Sequence, residues 1–386
     1  MRRYLFVLHR SVAIACAVLA TLVAEPARGR SAEDLHRRAL VVDAHAITAA
    51  RLLRPELNLW IDPTSSRTSL PRLKEGGVDV AAVVVYEGPA SDAFKPVSDT
   101  IARVSAEAES HGVSIVRSAN DVKRANGGGK PALIFSLEGG RAVGRDLHRL
   151  KDLHAMGVRW ITLAYTRAND LIASAYEDPK GRLTLLGREA VRAMNRAGLM
   201  IDVAHAPEPA IAEILEISKA PVIASHAASQ TLANIVENLS DDIISKIARK
   251  NGVVMINLGS PYLTKRFADR ARTVTDTVNT RYSGDMSRFY PTWREMDEAA
   301  GGPLAPASFD EMMDALEHLI KVAGPRHVGL GSDLDGVSNI PVGMETAADY
   351  PKITEALLRR GHSEKNVRGF LGENWLRVFR EAEKRR

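Results

Sequence analysis

A chain of 386 residues, 45% hydrophobic and 26% charged, has ordinary globular composition, which argues against disorder and leaves room for one large α/β barrel. The formal charge of +5 lies partly at the ends, in Arg2, Arg3 and Arg10 and in Arg380, Lys384, Arg385 and Arg386. It carries no nucleic-acid footprint.

Residues 1–30 read as a targeting signal: a basic start, an apolar run over 11–24, then the polar stretch Glu25-Pro-Ala-Arg-Gly29. The run is shorter than the ~20 residues that cross a bilayer, so export to a periplasmic or secreted location is expected, with cleavage after Ala20, Ala24 or Gly29. Cys16, the only cysteine, falls inside this segment. Any metal in the mature chain is then expected on His and carboxylate.

From Ala39 onward, β-branched runs at 40–47, 78–86, 132–138, 160–165, 199–205, 221–226, 252–258 and 327–333 alternate with amphipathic stretches at 98–109, 145–155, 187–196, 207–217, 241–249 and 308–322. Eight apolar strands separated by helices imply a parallel sheet closed into a (β/α)8 TIM barrel, one domain over 31–386. The long connection at 259–307 carries Tyr262, Tyr282, Phe289, Tyr290 and Trp293 and reads as a lid or a subunit contact, hence a homodimer. The stretch 364–386 is strongly helical and is expected to pack on the outside of the barrel.

His45, Glu138, His205, His226 and Asp333 each fall at or beside the C-terminal end of a different predicted strand, where barrel enzymes keep their reacting groups. One histidine in such a place is ordinarily structural. Three imidazoles and two carboxylates converging on one barrel mouth suit a zinc-like ion.

The words Ser69-Leu-Pro-Arg-Leu-Lys-Glu-Gly-Gly-Val78, Ser136-Leu-Glu-Gly-Gly140, Ile201-Asp-Val-Ala-His205, Ala220-Pro-Val-Ile-Ala-Ser-His226, His327-Val-Gly-Leu-Gly-Ser-Asp-Leu-Asp-Gly336 and Gly372-Glu-Asn-Trp-Leu-Arg-Val-Phe379 resemble the membrane (renal) dipeptidase family, zinc peptidase family M19. The resemblance implies a metallo-dependent TIM-barrel hydrolase that cleaves dipeptides. It matches Glu138 to a glutamate bridging two zinc ions, and His205 and His226 to ligands of the second ion. The first ion's His-x-Asp pair corresponds to His45-Ala-Ile47, and isoleucine has no lone pair. One zinc ion is therefore expected, with the second weak or absent. Two further positions depart from the family. Tyr165 stands where a substrate-contacting histidine is expected, and Glu237 stands where an arginine grips the substrate's terminal carboxylate. That reversal disfavours free dipeptides unless Arg167, or Arg51 and Arg54, compensates, and it makes a cationic or capped amide an alternative.

The resulting expectation is hydrolysis of a dipeptide or related small amide. Asp333 exchanges the proton, Tyr165 hydrogen-bonds the oxyanion, and His45 acts as a weak ligand or donor. Asp202 is read as a supporting residue that faces away from His205. The competing readings are a metal-poor member that binds a peptide or metabolite without cleaving it, and a tailoring enzyme for an exported metabolite.

Overall fold

A computed structural model describes residues 31–88, 92–283 and 288–385. The targeting signal and Cys16 lie outside the described residues. Eight parallel strands follow one another in chain order around the sheet: β1 (Val42–Thr48), β2 (Val80–Tyr86), β3 (Ala132–Glu138), β4 (Val158–Thr162), β5 (Met200–Asp202), β6 (Ile223–Ala227), β7 (Val253–Ile256) and β8 (Val328–Leu330). The β8–β1 seam is closed just beyond the strands. There the Asp333 N–H donates to His45 C=O at 2.8 Å, and the Ser332 N–H and Oγ donate to the Asp43 carboxylate at 2.9 and 2.6 Å.

Side chains alternate across the barrel wall as a strand's two-residue period requires. Val80, Ala82, Ile134, Trp160, Met200 and Ile223 form the inner layer, while Ala81, Val83, Leu133 and Phe135 pack outward with the helices. The expected helices are present, among them Phe94–Ser110, Leu185–Ala197 and Phe309–Ala323. Each of the last two follows a side-chain cap, from Thr184 and Ser308 respectively.

Expectations change at the strand ends, where β4, β7 and β8 stop two or three residues early, and at the C-terminus. β5 is three residues long rather than running to His205, because the Asp202 carboxylate takes the Ala204 N–H at 3.1 Å and turns the backbone out of the ladder. The C-terminal stretch is helical, in the segments Glu364–Arg368, Gly369–Glu373 and Asn374–Glu383. Its first part packs outward as expected, Val367, Phe370 and Leu371 joining the outer layer, but the helix Asn374–Glu383 does not: Trp375, Val378 and Phe379 join the inner layer, and the Trp375 ring meets Trp160 edge-on at 6.0 Å. This helix is the floor of the barrel, since large apolar side chains at the open strand starts need a cover that the surrounding helices do not supply. The long connection holds helices Lys265–Arg281 and Phe289–Ala299, and three of its aromatics pack together, Phe267 and Phe289 each 6.1 Å from the Trp293 ring.

Trp375 is 1% exposed. Trp375→Ala should cost about 3–5 kcal/mol by leaving a cavity beneath the inner layer, read as a lowered urea midpoint. A shift of less than ~1 kcal/mol would mean the floor does not carry the barrel.

Candidate metal and active site

The site forms where strands depart from regular geometry. The register slips on β1 between Asp43 and Ile47 and on β6 between Ala224 and Ala227, and these irregularities bracket His45 and His226, the kind of distortion that re-aims a side chain. Glu138 is the last residue of β3 and continues the inward parity of Ala132 and Ile134. His205 and Asp333 lie beyond the ends of β5 and β8 with φ of 60° and 54°, left-handed conformations that are uncommon for non-glycine residues. All five side chains are buried.

The donor atoms of three of them are close together. His205 Nε2 lies 3.0 Å from Glu138 Oε1 and 3.0 Å from His226 Nε2, and His226 Nε2 lies 3.6 Å from Glu138 Oε1. Two ligands at 2.0–2.1 Å from a tetrahedral ion stand about 3.3 Å apart, so these spacings fit one ion. His45 also belongs to the cluster: donor atoms of His45, Glu138 and His226 lie within 4.8 Å of one another, and the His45 ring is 3.8 Å from that of His226. Ile47, two residues along, is fully buried in the apolar layer and adds no donor.

The surroundings set the protonation of these groups. Ser225 Oγ donates its one proton to Asp202 Oδ2 at 2.5 Å, so at its 2.8 Å contact with His226 Nδ1 it must accept. The proton therefore sits on Nδ1, and the Nε2 lone pair faces the cluster. Burial, with His45 and His205 nearby, holds His226 well below the ordinary histidine range and so neutral. Burial alone would lower His205, but the hydrogen bond and charge of Glu138 raise it. Burial alone would raise Glu138, yet His205, His45 and the Tyr86 hydroxyl bring it below the usual carboxylate range. An ion bound here would displace to solvent the proton that His205 Nε2 shares with Glu138, and the neutral His226, the neutral His205 and the ionised Glu138 would then form a donor set of the right chemistry for a divalent ion.

Asp333 stands beside this set, Oδ1 3.7 Å from His45 Nε2, while Oδ2 accepts from Asn257 Nδ2 at 3.0 Å. A Cβ at Gly336 would overlap Oδ1, so only glycine leaves the carboxylate its place. Burial pushes Asp333 up to about 6, with His45 opposing and Glu138 reinforcing.

Around the donors stands an aromatic wall. Tyr86 hydrogen-bonds Glu138, Tyr165 lies 5.5 Å from the Tyr86 ring and 5.3 Å, edge-on, from His205, and Tyr176 stacks 6.0 Å from His205. The Tyr176 hydroxyl donates to Glu237, whose charge also reaches His205. Glu237 is thus brought to the site. Arg167 is exposed and forms no ion pair among the described residues, and Arg51 is held by Asp335 at 3.6 Å. Sequence reasoning did not pick out Tyr86, Tyr176, Asn257, Ser225 or Asp43. For Asp43 there was a signal, an acid inside an apolar strand and two residues before a ligand-type histidine.

Residues 29–386 match the membrane dipeptidase family, peptidase family M19. The chain belongs to this family. Dipeptidase tcpJ of Claviceps purpurea is 30% identical over 301 residues, 78% of this chain, and Dipeptidase 3 of Rattus norvegicus is 30% identical over 331 residues, 83% of this chain. The chain spans 62% and 59% of the length of these relatives. The fold is shared with the crystal structure of the probable dipeptidase PvdM from Pseudomonas aeruginosa, with a TM-score of 0.79 at 24% identity, covering 92% of this chain and 98% of that one.

The Asp202–Ser225–His226 relay generates a test of ligand orientation. Ser225→Ala removes the acceptor that fixes the His226 tautomer and should weaken divalent-metal affinity 10–100-fold, measured by chelator competition. Unchanged affinity would show that the relay does not orient the ligand.

Proposed function

We propose that this chain is an exported hydrolase of dipeptides or related small amides that works with a single zinc ion held by Glu138, His205 and His226. The observation that carries the reading is the three-atom donor set at 3.0–3.6 Å spacing with the Asp333 carboxyl beside it. Bound there, zinc would supply Lewis acidity and a water whose pKa is lowered to about 7.

The chain's own groups do the rest. Asp333, with its pKa near 6, accepts the proton of the attacking water and returns it to the leaving amine, a balanced transfer suited to a group that titrates near neutrality. Tyr165 donates a hydrogen bond to the oxygen that becomes negative as the carbonyl is attacked. Tyr86 fixes the Glu138 carboxylate, and Asn257 fixes that of Asp333. His45 borders both the donor set and Asp333 but lacks the carboxylate partner that Ile47 displaces, so a second ion is held weakly or not at all. Export rests on residues 1–30, and the chain found outside the cytoplasm should begin between Thr21 and Arg30 by mass spectrometry.

Metal analysis of purified protein should give close to one zinc per chain, rising toward two in Ile47→Asp. Two tightly held ions in the unaltered protein would contradict the single-ion site.

Glu237 sets the substrate preference. Two unit charges about 4 Å apart interact by roughly 4 kcal/mol at the effective dielectric near a protein surface, so a free C-terminal carboxylate facing Glu237 should lose more than tenfold in kcat/KM. Amidated dipeptides, or those with Lys or Arg second, should be cleaved better, and Glu237→Arg should reverse the order. Faster cleavage of unblocked Gly-D-Ala than of its amide would sink this assignment. Zinc binding without cleavage of any of these amides would favour the non-hydrolysing binder.

A further inference from the structure

At the end of the barrel opposite the metal cluster, a cavity of about 570 Å³ is lined by Lys219, Lys250, Arg326, Arg377 and Arg385, with Glu381 the one carboxylate. The cations come from four separate stretches of chain. Lys219, Lys250 and Arg326 each lie in the loop that leads into a successive strand, β6, β7 and β8. Arg377, Glu381 and Arg385 follow at four-residue spacing along and just beyond the floor helix Asn374–Glu383, which places them on one helical face.

Their charges are only partly offset, by Glu381 acting through space on Arg377 and Arg385. Among the described residues none of the five cations forms an ion pair, and Glu381 is held by Lys384 at 2.7 Å. Ion pairs do form elsewhere on the surface, as in Lys246–Asp242, Arg266–Glu311 and Arg360–Asp314; what sets these five cations apart is that they line one concavity. Arg377 is also fixed in place: it donates to the backbone carbonyls of Asn251 at 2.5 Å and Arg326 at 2.9 Å. Burial, and the Arg326 guanidinium beside it, hold Arg377 below the ordinary arginine range. Several unpaired like charges converging on one concavity create a positive potential that draws multiply charged anions.

The geometry points to this basal cavity as a binding site for a phosphate-bearing anion, separate from the reacting centre. The phosphate group belongs either to a soluble organic phosphate, for which the cavity has ample room, or to an anionic lipid headgroup.

The test uses the full chain, zinc-loaded, with inorganic pyrophosphate as the soluble probe and phosphatidylglycerol vesicles, against phosphatidylcholine vesicles, as the lipid probe. Lys250→Gln combined with Arg326→Gln alters two exposed side chains remote from the metal cluster, so metal content and amide cleavage should not change. Pyrophosphate affinity should fall tenfold or more in this variant, and Glu381→Gln should tighten it. Co-sedimentation with phosphatidylglycerol vesicles that the double variant abolishes would assign the site to a headgroup, whereas loss of pyrophosphate binding alone would assign it to a soluble phosphate. Binding of neither probe, or binding that the double variant leaves unaltered, would overturn the proposal, the latter because the anion would then sit elsewhere, as at the metal centre.

Discussion

Two buried aspartates hold the site together, and each does so by saturating one carboxylate with donors from its own and neighbouring segments. Asp43 on β1 accepts from the His45 and Ser332 backbone N–H groups, the Ser332 hydroxyl and the Tyr350 hydroxyl. Asp202 on β5 accepts from the Ala204 and Ser225 N–H groups, the Ser225 hydroxyl and the Thr162 hydroxyl. Both are fully buried, and a buried carboxylate is tolerable only when its lone pairs are met in this way. The bonds that satisfy the charge also fix β1 to the end of β8, and β5 to both β4 and β6. The histidines that follow each aspartate, His45 and His205, inherit their positions from it.

That rigidity lets the site sustain unfavourable local geometry. His205 and Asp333 occupy left-handed backbone, a strain of order 1–3 kcal/mol per residue when no glycine relieves it. In both cases the turn swings the side chain inward just past the end of a short strand. His205 has no partner on Nδ1 among the described residues and is steadied by the rings of Tyr165 and Tyr176, whereas His226 is steadied through Ser225 and Asp202. The two imidazoles of one donor set are thus held by different means, one by packing and one by hydrogen bonds.

Much of this was legible in the residues. β-branched runs between amphipathic segments mark the barrel, because strands buried on both faces must be apolar along their whole length, and polar residues at the ends of such runs stand out as candidates. The resemblance of the flanking words to a peptidase family supplied what periodicity does not, the pairing of Glu138 with His205 and His226. The Tyr176–Glu237 contact was beyond reach, since it joins two irregular loops 61 residues apart with no pattern linking them. The floor helix was visible as amphipathic, yet amphipathicity does not say which surface a helix covers. β5 was overextended because its apolar run continues past the point where Asp202 diverts the backbone.

The β8–β1 seam divides the site by the sequence separation of its contacts. Glu138, His205 and His226 come from a run of consecutive strands, β3 to β6, and their contacts span 67 and 21 residues. Asp333 reaches His45 only when Ser332 meets Asp43 across 289 residues and Tyr350 meets it across 307. Longer loops cost more entropy to close and are made later. The donor set depends on the shorter-range contacts, and Asp333 on the closure of the ring. The spacing of the three donors thus rests on neighbouring strands, while the meeting of Asp333 with His45 rests on the closure of the ring, so a change at Asp43 or Ser332 bears first on that second pair.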